Sequence, residues 1–175
     1  MILTADHIKR EREAGLITIE PFDEAQLNPN SYNFRLGQTL LTYVNEVLDV
    51  RQEQPTQRHL IPAEGFLLRP DELYLGHTVE QIGSTRYVPM IFGRSSVARL
   101  GLFVQITAPL GDLGYLGQWT LQLSCIRPLR VYADMNIGEA LFIEAQGEPS
   151  IYQGKYQSSR GPTPSKLFKD FEGKP

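Results

Sequence analysis

Residues Phe92 to Ser124 read "FGRSSVARLGLFVQITAPLGDLGYLGQWTLQLS" and set a cluster of donor side chains among strand-like runs. The stretch starts with a loop, "GRSSVARLG" at residues 93–101, that holds two glycines, two arginines and two adjacent serines. Glycine lets the backbone approach a ligand closely, and serine and arginine are natural donors to phosphate oxygens. A strand-like run follows, then a turn carrying Asp112, then Gly114-Tyr115-Leu116-Gly117, then a second strand-like run ending in "WTLQLS". A glycine-rich donor loop framed by strands is a recognition device set on a β scaffold.

The same texture extends in both directions. "LITIEPF", "YNFRLGQTLLTY", "GFLLRPDELYLGHTVEQI", "RYVPMIFG", "GLFVQITAP", "GQWTLQLSCI", "LRVYADM" and "EALFIEA" are short runs rich in β-branched and aromatic residues, punctuated by Gly, Pro, Asn and Asp. This predicts an all-β barrel, sandwich or jelly roll spanning residues 1–150. One helix is expected ahead of it. In "LTADHIKREREAG", Thr4 is the N-cap, Ala5 to Ala14 are mostly helix formers and Gly15 ends the run. The tail, residues 151–175, is polar, basic and rich in Gly and Pro, and would be ordered only by a ligand or a neighbouring subunit.

Bulk properties narrow the function. The 175 residues carry a formal net charge of -3, so there is no global basic field for nucleic acid or an anionic membrane. Phosphate recognition must then be local, which suits a small anionic ligand. A single cysteine, Cys125, excludes an intrachain disulfide framework and fits a reducing compartment. With no apolar run of membrane-spanning length and no leader-like N-terminus, a cytoplasmic location is expected. His7, His59 and His77 are scattered without metal-ligand spacing, and the H-x-E…P-C-x-x-C signature of zinc nucleobase deaminases is missing, so no zinc is expected. Walker A, G-x-G-x-x-G and G-x-S-x-G patterns are missing too.

Taken whole, Phe92–Ser124 resembles the nucleotide-binding core shared by dCTP deaminases and dUTPases. The deaminases carry G-R-S-S-x-A-R-x-G, then T-A, an I-D-P-G-[FWY]-x-G turn and a T-L-E-[LI] strand. "LNPNSYNFRLG" is similar to their N-P-x-S-Y-D-[LV]-R-L-G, and "GKYQSSRGPTPSKLFKDF" to their C-terminal segment. The resemblance implies a distorted β-barrel or jelly roll of the dUTPase-like type, homotrimers with sites at subunit interfaces, and a deoxynucleoside triphosphate substrate arriving with Mg²⁺. It assigns Arg94, Ser95 and Ser96 to the phosphates, and Arg99 to the reaction centre, where Ser95 would help position water. Ala108 and its neighbours would present backbone groups to the pyrimidine. Asp112 would hold the sugar 3′-hydroxyl, or, as in a dUTPase, activate the water that attacks phosphorus. Tyr115 would stack against the sugar, and Lys155 and Tyr156 would close over the triphosphate.

The pattern breaks at one telling place. Gln122 stands where the deaminases have their catalytic glutamate. An amide hydrogen-bonds with the same shape but has no titratable proton to relay. Asn33 replaces an aspartate, Ser159 a glutamine, and Gly111 precedes Asp112 where isoleucine is usual. Glu139 and Glu144 are the nearby carboxylates that could stand in, with solvent-facing positions expected for both. Three readings follow: a dCTP deaminase-like enzyme (dCTP and water to dUTP and ammonia) impaired by Gln122; a pyrophosphatase of the same fold, with Asp112 orienting water and Gln122 reading the base; or a non-catalytic nucleotide-binding regulator.

Overall fold

The computed structural model describes residues 1–173, so the last two residues of the tail lie outside it. Its elements in chain order are α1 (Ala5–Glu13), β1 (Ile17–Glu20), β2 (Leu27–Asn28), β3 (Ser31–Arg35), β4 (Thr39–Tyr43), β5 (Thr56–Leu60), β6 (Phe66–Leu68) and β7 (Tyr74–Ser84). After these come β8 (Tyr87–Gly93), α2 (Ser95–Ala98), β9 (Leu102–Phe103), β10 (Leu116–Cys125), β11 (Leu129–Val131) and β12 (Asn136–Glu144). The protein is mainly β, as the run composition requires.

One sheet has the order β5-β4-β7-β10-β9, with β1 also paired to β7; a second runs β2-β3-β12-β8, and β11 pairs with β6. All the paired strands are antiparallel. Phe34, Ile91 and Phe142 from the second sheet join Leu40, Ile82 and Leu121 from the first in one buried apolar cluster. The two sheets thus share a core, which is what a dUTPase-like barrel needs. Glu80 is fully buried there, and its carboxylate accepts from Arg35 through both the backbone N–H, at 2.9 Å, and Nε, at 2.8 Å. A buried charge is tolerated only when paired in this way.

Strand alternation positions the site. Along β10, Trp119, Leu121, Leu123 and Cys125 are buried while Gln118, Thr120, Gln122 and Ser124 are half-exposed on the opposite face. A period of two therefore puts four polar side chains in a row, with Gln122 the third. Helix α1 runs as expected. Thr4 occupies the N-cap position without a side-chain hydrogen bond, Asp6 and the pair Arg10 and Arg12 suit the helix dipole, and Gly15 has φ 75°.

Three local expectations need correction. "GLFVQITAP" pairs only through Leu102–Phe103, because Val104 turns into the core and the chain leaves the sheet. The serines of "GRSSV" open the short helix α2 rather than a loop. Thr56–Leu60 is a strand, though its residues are mostly polar, because β4 supplies a five-residue antiparallel partner. The described part of the tail packs against its own chain through Tyr152 and Ser158, whose backbone N–H groups donate to the carbonyls of Leu113 and Leu116.

Candidate functional site

A cavity of about 640 Å³ opens beside the half-exposed face of β10. Its walls bring together Ala108, Asp112, Tyr115, Gln122 and Tyr156, five of the residues singled out from the sequence. Gln122 comes from the middle of β10, opposite Leu75 of β7. Its side-chain amide makes no hydrogen bond among the described residues, so both its donor and its acceptor face outward to whatever enters. Asp112 is exposed and has no ion pair among the described residues, and it is the one carboxylate among the described residues that line the cavity.

The turn before β10 is shaped by its glycines. Gly114 has φ 84° and donates to the Ser84 carbonyl at 2.7 Å. Gly111 donates to the Pro89 carbonyl at 2.8 Å, and the Trp119 indole occupies the space a side chain there would need. Trp119 itself is pinned by Nε1 donating to the Ile82 carbonyl at 3.0 Å. Glycine before Asp112 is thus the counterpart of tryptophan on β10. Tyr115 lies edge-on to Trp119 at 5.5 Å and donates its hydroxyl to the Gln118 carbonyl at 2.9 Å. Burial pushes its phenol up to about 12, so it is a fixed donor rather than a base at neutral pH.

The tail forms the cavity's other wall. Ser158 and Tyr152 donate backbone N–H groups to the carbonyls of Leu116 and Leu113, at 3.0 and 2.7 Å. Gln157 braces the turn by donating to the Gly114 carbonyl at 2.7 Å and accepting from Leu116 N–H at 2.9 Å. Further along, tail amides meet β10 side chains two residues apart. Gly161 N–H donates to Gln118 Oε1 at 2.6 Å, and Thr163 N–H to Thr120 Oγ1 at 3.0 Å. The next amide, Ser165 N–H, goes instead to the Tyr43 hydroxyl at 3.0 Å. That detour leaves Gln122, the third polar side chain in the row, uncovered.

The other expected residues are elsewhere. Arg94, Ser95, Ser96 and Arg99 lie on or beside α2 and do not line this cavity. Ser95, Ser96 and Arg99 are exposed, and the side chains of all four make no hydrogen bond or ion pair among the described residues. Lys155 is held by Asp170 at 2.7 Å, a contact that raises its pKa. Glu139 sits opposite Asn33 and Phe92 and accepts from Ser31 Oγ at 2.7 Å, while Glu144 is exposed at the end of β12. Neither lines the cavity that holds Gln122.

Sequence reasoning missed Tyr43, Gln105, Thr120 and Tyr152 as lining residues. Thr120 was available from strand periodicity, since it points the same way as Gln122. Tyr43 had no local signal, because only the order β4-β7-β10 brings it near. Among the described residues no helix is long and apolar enough to cross a membrane.

Comparison with known proteins finds similar chains over nearly the whole length. A family model described as dCTP deaminase-like matches residues 2–145. A protein of Hathewaya histolytica named "dCTP deaminase, dUMP-forming" is 49% identical over 173 residues, covering 98% of this chain and 100% of its own. A protein of the same name from Leptospira biflexa serovar Patoc is 49% identical over 175 residues, covering 99% of this chain and 100% of its own. The crystal structure of 2′-deoxycytidine 5′-triphosphate deaminase from Agrobacterium tumefaciens superposes with a TM-score of 0.65 at 18% identity. That match covers 82% of this chain and 48% of the other, and it speaks for the fold alone.

Proposed function

The chain belongs to the dCTP deaminase-like family, and from that premise we propose that it is a pyrimidine deoxynucleoside triphosphate hydrolase of the dCTP-to-dUMP type in which Gln122 makes deamination the slow half. The observation that carries the reading is the cavity itself, where Ala108, Asp112, Tyr115 and Gln122 converge with the Gln122 amide unpartnered. The relatives' designation as dUMP-forming argues that the product is the monophosphate rather than the dUTP a simple deaminase would release.

Two hydrolyses add up to that product. In the first, dCTP and water give dUTP and ammonia; in the second, dUTP and water give dUMP and diphosphate. Deamination needs a group that takes a proton from the attacking water and returns protons to the ring nitrogen and the leaving ammonia. Gln122 can hold the base by donating and accepting, but it cannot carry that proton. Loss of a positioned acid–base group costs ~10²–10⁴-fold. The second step needs a carboxylate to orient water at the α-phosphorus, and Asp112 supplies one. Tyr115 would pack the sugar.

The triphosphate needs cationic donors, and the cavity walls hold none of the expected arginines. We assign these to a neighbouring copy in a homotrimer. Arg94, Ser95, Ser96 and Arg99 stand free, and Leu100, Phe103 and Ile126 are exposed apolar side chains around them, as a buried subunit contact would need. Lys155 would move from Asp170 to the phosphates. Magnesium would travel on the triphosphate and offset its charge. Among the described residues no three His, Cys, Asp or Glu side chains converge on a metal site, so phosphate oxygens would be its principal ligands.

The test is product analysis with dCTP, dUTP and dGTP in the presence of Mg²⁺. The expected result is dUMP and diphosphate from dUTP, slower dUMP from dCTP, and nothing from dGTP. Equal turnover of all three, or of none, would defeat the reading.

A further inference from the structure

We propose that Gln105 is a positioning residue for base recognition, an assignment that rests on the nucleotide reading above. Between Val104, buried in the core, and Pro109, whose carbonyl accepts from Ile91 N–H at 2.9 Å, the chain crosses the cavity wall without joining a sheet. Ile106, Thr107 and Ala108 are exposed there, and none of their backbone N–H groups has a partner among the described residues. Bare amides in a cavity wall are the donors that a heterocyclic base edge needs, and they read it only if the backbone keeps one shape. One hydrogen bond gives the segment that shape: Gln105 Nε2 donates to the Ala108 carbonyl at 2.7 Å.

An independent observation marks the same side chain. Gln105 Oε1 is buried and has no hydrogen-bond partner. A buried acceptor without a donor is unfavourable, so packing surface-filling alone would favour an apolar residue at this position. The amide is nevertheless present, with its donor end committed to Ala108. Position 105 therefore serves the Ala108 carbonyl, fixing which backbone groups of residues 106–108 remain free for the base.

The experiment compares the full chain with Gln105→Met, which keeps length and removes the donor, and Gln105→Glu, which keeps shape and turns an acceptor toward a carbonyl. Binding of dCTP, dUTP, dGTP and inorganic tripolyphosphate is measured by calorimetry with Ca²⁺ in place of Mg²⁺, beside amide hydrogen exchange of residues 106–108. Loss of one neutral hydrogen bond predicts roughly five- to tenfold weaker pyrimidine binding in both variants. Tripolyphosphate affinity and melting temperature should hold, while exchange at residues 106–108 accelerates. Unchanged discrimination between dCTP and dGTP, with wild-type binding intact, overturns this assignment alone. Failure of the unmodified chain to bind any pyrimidine triphosphate overturns it together with the function proposed above.

Discussion

Replacing Gly111 by alanine tests the turn that carries Asp112. A Cβ at residue 111 would fall within the van der Waals shell of Trp119, 2.6 Å from Cζ2 and nearer still to Cη2, and 2.9 Å from Pro89 Cγ. The indole cannot retreat freely, because it is 7% exposed and its Nε1 is bonded to the Ile82 carbonyl. Overpacking of this kind costs ~1–3 kcal/mol. For a domain of this size that is a melting temperature lower by roughly 3–10 °C. Trp119→Phe removes both crowding indole atoms and leaves only Pro89 Cγ to give way, so alanine should be accommodated much better in that background. A coupling of at least ~1 kcal/mol is therefore expected in a double-mutant cycle read by chemical denaturation. Additive effects would show that the indole does not dictate glycine before Asp112.

Three further outcomes are expected. Thr120→Val removes the acceptor for Thr163 N–H, so hydrogen exchange at Thr163 should rise about fivefold, from loss of ~1 kcal/mol; an unchanged rate would mean the tail is held elsewhere. Asp112→Asn should slow diphosphate release by ~10²–10⁴-fold with nucleotide still bound, and a variant as fast as wild type would remove Asp112 from the phosphorus. Burial holds the imidazole of His77 below its ordinary 6.5, with the Arg58 charge acting in the same sense. The unfolded chain then binds more protons between the two values, so stability should fall as pH drops through about 6.5 toward the folded pKa. His77→Gln should flatten that slope in denaturant titrations from pH 7.5 to 5.5, and an unaltered slope would contradict the buried neutral ring.

The β architecture was legible because the strands are short, apolar and bounded by turn residues, and because Gly15, Gly111 and Gly114 sit where the chain bends. Gln122 was singled out by the family motif it breaks, in a run that already read as a strand. What the sequence could not show was long-range. Tyr43 reaches the cavity only through the pairing of β4 with β7 and β7 with β10. The polar strand Thr56–Leu60 lacks an apolar stripe and takes its form from its partner. The tail looked too polar to order itself, yet its amides find side-chain oxygens on β10, a contact that composition does not encode. The arginines and serines at residues 94–99 looked like neighbours of Asp112 in the chain, but folding leaves them out of the cavity wall that holds it.

The most direct test of the account is the rate of ammonia release from dCTP by the unmodified chain and by Gln122→Glu, measured at matched saturation. A carboxylate restored at the base should raise that rate by ~10²-fold or more, with diphosphate release from dUTP little changed. A wild-type rate equal to or above the variant's would contradict the claim that Gln122 faces the base and limits its deamination.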